Sequence, residues 1–199
     1  MQSEGIAAIT GKNLNQPCLR CKLALVGDAA VGKTCLLQRF IGEQSGITSS
    51  YTFTVGCPLE TKSFYVKDFA TKVELLIADL GGQSMYSTLR PQYLAHTSAA
   101  LYVYDITNKE SFKSLPGWIK EVNKAAGRQV PGVVVGNKTD LRSVAVVDSV
   151  EAADFAHAQG LSFVECSAVD NVNVTNPFEI ISTNVCKQFS ERIEALKLL

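Results

Sequence analysis

Residues 27–34 read Gly-Asp-Ala-Ala-Val-Gly-Lys-Thr. The residue types and spacing fit G-x-x-x-x-G-K-[ST], a loop that gathers phosphate. A polyphosphate carries several negative charges, and leaving water requires each to be compensated. Gly27 and Gly32 let the main chain wrap closely and point its N–H groups inward, and a helix starting near Gly32 adds the positive end of its dipole. The expected nucleotide contacts on this loop are Gly27, Asp28, Ala29, Ala30, Val31, Gly32, Lys33, Thr34 and Cys35. Lys33 would reach the β- and γ-phosphates, and the Thr34 hydroxyl would ligate Mg²⁺. The setting suits the motif. Lys22–Val26 is an apolar run of buried-strand type, and Leu36, Leu37, Phe40 and Ile41 follow at helical spacing.

Three further segments narrow the ligand. Asn137-Lys138-Thr139-Asp140 follows the strand-like run Gly132–Gly136 and fits N-K-x-D. The Asp140 carboxylate can accept from the N1–H and the 2-amino group of guanine, whereas adenine would leave it buried and unsatisfied. Charge-assisted bonds of about 1.5–3 kcal/mol each make discrimination by several decades plausible. Asn137 would brace the loops and the Lys138 stem would lie along the base. Glu165-Cys166-Ser167-Ala168 would bring Ser167 to the site and the Ala168 N–H to guanine O6. Asp79-Leu80-Gly81-Gly82-Gln83 reads as D-x-x-G followed by Gln. There Asp79 would hold Mg²⁺ through water, the Gly82 N–H would sense the γ-phosphate, and Gln83 would orient the attacking water as the catalytic residue.

With these four motifs in order, the chain resembles the Ras-like small GTPases and, within them, the Rab branch, from about Arg20 to Phe189. Tyr102–Thr107, Ser111-Phe112 and Trp118 sit where Rab proteins carry their fourth strand and third helix. Thr54-Val55-Gly56 is similar to the Rab switch I signature, which implies that Thr54 ligates Mg²⁺ and meets the γ-phosphate. Ser50-Tyr51-Thr52, Lys72–Leu75, Pro131–Leu141, Val147–Ala152 and Pro177-Phe178 resemble a narrower family, the Rab-like GTPase subunit (intraflagellar transport protein 27) of the intraflagellar transport B complex. That resemblance implies GTP/GDP and Mg²⁺ as ligands and a heterodimer with a small β-sandwich subunit, intraflagellar transport protein 25. It also implies other complex B subunits as partners and a place in the cytoplasm, the cilium or flagellum and its base. The alternatives are a Rab-type vesicle-trafficking switch outside cilia, or a scaffold subunit whose nucleotide is mainly structural.

The chain departs from the family pattern at several points. Ala29 and Ala30 follow Asp28, and a methyl group there can crowd an arginine finger. Gly81 replaces the usual alanine before Gly82, Ser84 replaces the usual glutamate after Gln83, and Val169 replaces the lysine that often follows Ser-Ala, which removes one prop under the base.

The elements that must position these residues follow from hydrophobic pattern. Strand-like runs near 21–26, 61–67, 72–78, 99–105, 130–136 and 161–166 alternate with helical patterns, which predicts a mainly parallel sheet with helices on both faces. Asp68–Thr71 is too short for a crossover helix, so the second and third strands should pair antiparallel. The fold class is thus α/β. With the resemblance it is a P-loop NTPase small G-domain with six strands, one of them antiparallel. Residues 1–19 are expected to be a flexible extension and 20–199 one G domain. Pro116-Gly117 predicts a kink or late start in the helix carrying Phe112 and Trp118, the latter reading as core. Asn176, Pro177 and Glu179 mark the start of the last helix, with Asn176 as cap. Its stripe Phe178, Ile181, Val185, Phe189, Ile193 and Leu196 should pack on the sheet in its first half, and a partner is one possible cover for the rest.

Composition excludes other classes. The 199 residues carry zero formal net charge, 46 % hydrophobic and 19 % charged residues, with no basic stripe for nucleic acid. No apolar run reaches membrane-spanning length. Met1–Gln16 lacks a secretory-signal pattern, and the chain shows no prenylation box, polybasic tail or Met-Gly start, so no direct lipid anchor is expected. Six scattered cysteines favour free thiols. Cys18-x-x-Cys21 lacks the second ligand pair that zinc would need.

Overall fold

The computed structural model describes residues 18–42, 57–81 and 89–197. Six strands form one sheet: β1 (Cys18–Val26), β2 (Leu59–Val66), β3 (Thr71–Asp79), β4 (Ala99–Asp105), β5 (Gly132–Asn137) and β6 (Ser162–Glu165), in the order β2-β3-β1-β4-β5-β6. All neighbours pair parallel except β2 and β3, which are antiparallel from Leu59↔Ala78 to Val66↔Thr71. A three-residue 3-10 turn, Lys67–Phe69, joins them, as the short connection requires. β1 begins at Cys18, three residues ahead of the apolar run. Cys18 and Leu19 pair with Lys72 and Val73, so the sheet takes in the last two residues assigned above to the extension.

The central strands are apolar without alternation because both faces are covered. Leu23 and Leu25 of β1, Leu101 and Val103 of β4, and Val133 and Val135 of β5 face one cluster. It is closed by Leu36 and Phe40 of α1 (Lys33–Ile41) and by Phe178 and Ile181 of α6 (Asn176–Lys197). Phe40 and Phe178 stack there with ring centroids 3.6 Å apart. Ala24, Val26, Tyr102, Tyr104 and Val134 face the other way. They meet α2 (Arg90–Leu94), α3 (Lys109–Lys113), α4 (Leu115–Ala126) and α5 (Ser149–Ala158) through Leu94, Phe112, Leu115, Trp118, Val122, Ala152 and Ala156.

Pro116-Gly117 acts as a late start. α3 ends at Lys113, and α4 opens at Leu115 with Pro116 in its first turn, where its missing N–H costs nothing. At the last helix the boundary differs from expectation. Asn176 is already helical, and the Thr175 carbonyl accepts from the N–H groups of Phe178 and Glu179. The α6 stripe divides as its pattern suggests: Phe178 and Ile181 are fully buried, while Phe189, Ile193 and Leu196 are exposed. All six cysteines are free thiols. Cys18 and Cys21, an odd number of residues apart on β1, lie on opposite faces of the sheet and cannot share one metal. Among the described residues no helix is long and apolar enough to cross a membrane.

Candidate functional site: a phosphate and base cradle at the strand ends

The phosphate loop, N-K-x-D and the Ser-Ala segment leave the carboxyl ends of β1, β5 and β6, and Asp79 ends β3, at the edge where open α/β sheets bind ligands. Between β1 and α1 the loop comes very close to β4. A side-chain carbon on Gly27 would lie 2.1 Å from the Val103 carbonyl oxygen, and one on Gly32 would lie 2.3 Å from Asn137 Nδ2. Both glycines also have positive φ, 146° and 92°. Steric room and backbone conformation therefore both demand glycine at these two motif positions. Ala30 adopts φ 64° despite its methyl group, so the loop turn is set by its surroundings.

Lys33 is 6 % exposed, and its ammonium donates to the carbonyls of Gly27 (2.9 Å) and Asp28 (2.7 Å). Burial pulls its pKa down to about 8, against the pull of the Asp79 and Asp28 carboxylates. A desolvated cation is thus held inside a ring of main chain, and an anion would compensate it. Thr34 Oγ1 donates to Asp79 Oδ2 at 2.5 Å. Asp79 is 1 % exposed and its other oxygen, Oδ1, is buried without a hydrogen-bond partner among the described residues. Burial pushes the Asp79 carboxyl up, with the Thr34 hydroxyl and Lys33 acting against it. A hydroxyl and a carboxylate with an unsatisfied oxygen, beside a buried ammonium, form an oxygen donor set that fits Mg²⁺.

Asn137 joins the two halves of the cradle. It is 1 % exposed; its Nδ2 donates to the Val31 carbonyl at 2.9 Å and its Oδ1 accepts from the Ala168 N–H at 3.3 Å. The phosphate loop, N-K-x-D and the Ser-Ala segment are therefore tied by one side chain, the bracing role its position suggested. The Ala168 amide already has this acceptor, so a base oxygen would compete for it over a long bond rather than find it unengaged. Lys138 turns the chain with φ 71°, and its ammonium pairs with Asp105 Oδ2 at 2.6 Å. Burial pushes the Asp105 carboxyl up, yet Lys138 and the Thr107 hydroxyl and amide outweigh it and hold it below the usual range. Asp140 is exposed at the rim, and its Oδ1 accepts from Ser167 Oγ at 2.6 Å. Ser167 is fully buried and accepts from the Asp170 N–H at 3.0 Å, which fixes the hydroxyl that orients Asp140.

The sequence pattern of the Ras family matches residues 22–187. The chain belongs to the Ras family. It is similar to the human intraflagellar transport protein 27 homolog, 37 % identical over 182 residues, covering 91 % of this chain and 98 % of that protein. The mouse and cattle homologs of intraflagellar transport protein 27 share 35 % and 34 % identity over the same 91 % of this chain and 98 % of their own lengths. The six-stranded sheet with its single antiparallel pair is the small G-domain fold of the Ras family.

Gly27, Asp28, Ala29, Ala30, Val31, Gly32, Lys33, Thr34, Cys35, Asp79, Asn137, Lys138, Asp140, Ser167 and Ala168 all fall on this one edge of the Ras-family sheet. Thr54, Gly82 and Gln83 lie outside the described residues. Three supports were not singled out as site residues from sequence. Arg39 of α1 donates to the carbonyls of Ala168 and Val169, both at 3.0 Å, and so props the base loop from below where Val169 offers no charge. Asp105 anchors Lys138. Trp118, expected as core and indeed buried, also donates from Nε1 to Asp28 Oδ1 at 2.8 Å. A buried indole N–H needs an acceptor, and that need was the available signal for the last of these.

Proposed function

We propose that this Ras-family chain binds GTP and GDP with Mg²⁺, hydrolyses GTP slowly, and serves as a subunit of the intraflagellar transport B complex, paired with a small β-sandwich subunit of the intraflagellar transport protein 25 type. The observation that carries the nucleotide reading is Asn137: one buried amide fixes the phosphate loop and the base loop in a single frame. Lys33 and the loop amides gather the phosphates. Asp140, oriented by Ser167, reads the N1–H and 2-amino edge of guanine. Thr34 and Asp79, with Thr54, would hold Mg²⁺, which when bound neutralises charge on the phosphate oxygens. Gln83 orients the attacking water, and the Thr54 and Gly82 segments meet the γ-phosphate and are released after hydrolysis.

The transport role is supported by the similarity to intraflagellar transport protein 27 homologs over most of the chain. The exposed Phe189, Ile193 and Leu196 on α6 favour a second element of the reading, a lasting partner surface beside the switch. Comparing partner affinity of the GDP-bound and GTP-analogue-bound forms separates switch from scaffold, since only a switch requires the two to differ. Hydrolysis is tested at Gln83. Gln83→Leu keeps the side-chain bulk and removes the groups that position water, so single-turnover GTP hydrolysis should slow by about tenfold or more while GDP affinity stays within about twofold. An unchanged rate would show that Gln83 does not orient the water.

A further inference from the structure

Asp28 is chemically out of place. A carboxylate in a loop that gathers phosphate repels the ligand unless something holds it aside. Trp118 supplies the hold. Its Nε1–H donates to Asp28 Oδ1 at 2.8 Å from an indole that is itself 6 % exposed. α4 gives it a fixed base, since Leu115 and Val122 are fully buried on the same helix. The Arg90 guanidinium lies over the Trp118 ring, 4.6 Å from its centroid, and pairs with Glu121 of α4 at 3.1 Å. Arg90 opens α2, a few residues along the chain from the Asp79–Gln83 motif.

Resting on the guanine-nucleotide reading, we infer that Trp118 is a positioning residue of the phosphate loop: its indole N–H holds the Asp28 carboxylate clear of the phosphates, and Arg90 on its ring links that hold to the start of α2. A phenylalanine would fill much of the same space but could not donate. The role therefore predicts that the harm done by losing Trp118 comes through Asp28 and is relieved by removing the Asp28 carboxylate. A purely packing role predicts no such relief.

The test is release of a fluorescent GDP analogue from the full chain with Mg²⁺ present. Trp118→Phe should release it about tenfold faster, the equivalent of one charge-assisted hydrogen bond. Adding Asp28→Ala to that variant should slow release by about threefold or more relative to Trp118→Phe alone. An unchanged rate in Trp118→Phe, or no slowing in the double variant, overturns the inference. A second reading needs neither the tryptophan substitution nor nucleotide binding. Trp118 is the single tryptophan of the chain, so Asp28→Ala alone should move its emission to shorter wavelength by removing its acceptor, and an unmoved spectrum overturns the inference. If the unaltered chain fails to bind the analogue, the guanine-nucleotide reading fails, and the emission test still decides the Trp118–Asp28 link.

Discussion

Lys33→Ala should weaken binding of GDP and GTP by about three orders of magnitude while leaving the fold intact. The ammonium is the cation buried inside the loop, donating to the carbonyls of Gly27 and Asp28, and polyphosphate is the ligand that would match its charge. Removing it deletes about two charge-assisted bonds to phosphate, each about 1.5–3 kcal/mol, and about 4 kcal/mol corresponds to a thousandfold in affinity. The fold should survive because a buried charge contributes little net stability. A nucleotide titration together with a thermal melt checks both halves. Unchanged affinity would mean that Lys33 does not touch the phosphates.

The same ammonium sets a pH dependence. Burial places its pKa at about 8, below the ordinary 10.5. Between those values the unfolded chain binds the proton that the folded chain has lost, so stability of the nucleotide-free protein rises with pH across this window. Nucleotide binding requires the charged form and runs the opposite way. Affinity should fall by about tenfold between pH 7 and pH 9 as Lys33 loses its proton. A flat profile would place the Lys33 pKa well above 9.

The second large effect is expected at Asp140. Asp140→Asn should cost about a thousandfold in GTP affinity and improve binding of xanthosine triphosphate. Aspartate accepts from two donors on guanine. Asparagine presents one acceptor and one donor, which clashes with the 2-amino group but matches the 2-carbonyl of xanthine. Asparagine keeps an oxygen for the Ser167 hydroxyl, so the link to the Ser-Ala loop survives and the change is confined to the base edge. Competition of both nucleotides against a fluorescent GDP analogue measures the exchange of preference. Equal loss for guanosine and xanthosine nucleotides would show that Asp140 supports the loop without reading the base.

Much of this site was legible because its parts are local in sequence. The phosphate loop, N-K-x-D and D-x-x-G each declare themselves within a few residues, and the apolar runs of β1, β4 and β5 mark strands covered on both faces. The supports were not legible, because they join residues far apart in the chain. Arg39 reaches 129 residues to Ala168, and Trp118 reaches 90 residues to Asp28. No spacing rule links an arginine in the last turn of α1 to a carbonyl after β6; only the sheet order brings them together. The early start of β1 was hidden for another reason. Cys18, Leu19 and Arg20 form a polar-edged extension with Arg20 paired to Glu74, so hydrophobicity understates the strand. At α6 the Asn-Pro pair suggested a cap, but the Thr175 carbonyl takes the first helical N–H groups and the helix begins one residue sooner.

One frame held by Asn137 should bind a polyphosphate at one end and recognise guanine at the other. Calorimetric titration of the purified, nucleotide-stripped full chain with GDP, GTP and ATP in the presence of Mg²⁺ tests it directly. Both guanosine nucleotides should bind tightly, and ATP should bind more weakly by about a thousandfold or more. Equal affinity for ATP and GTP, or no heat from any of the three with a folded protein, would contradict it.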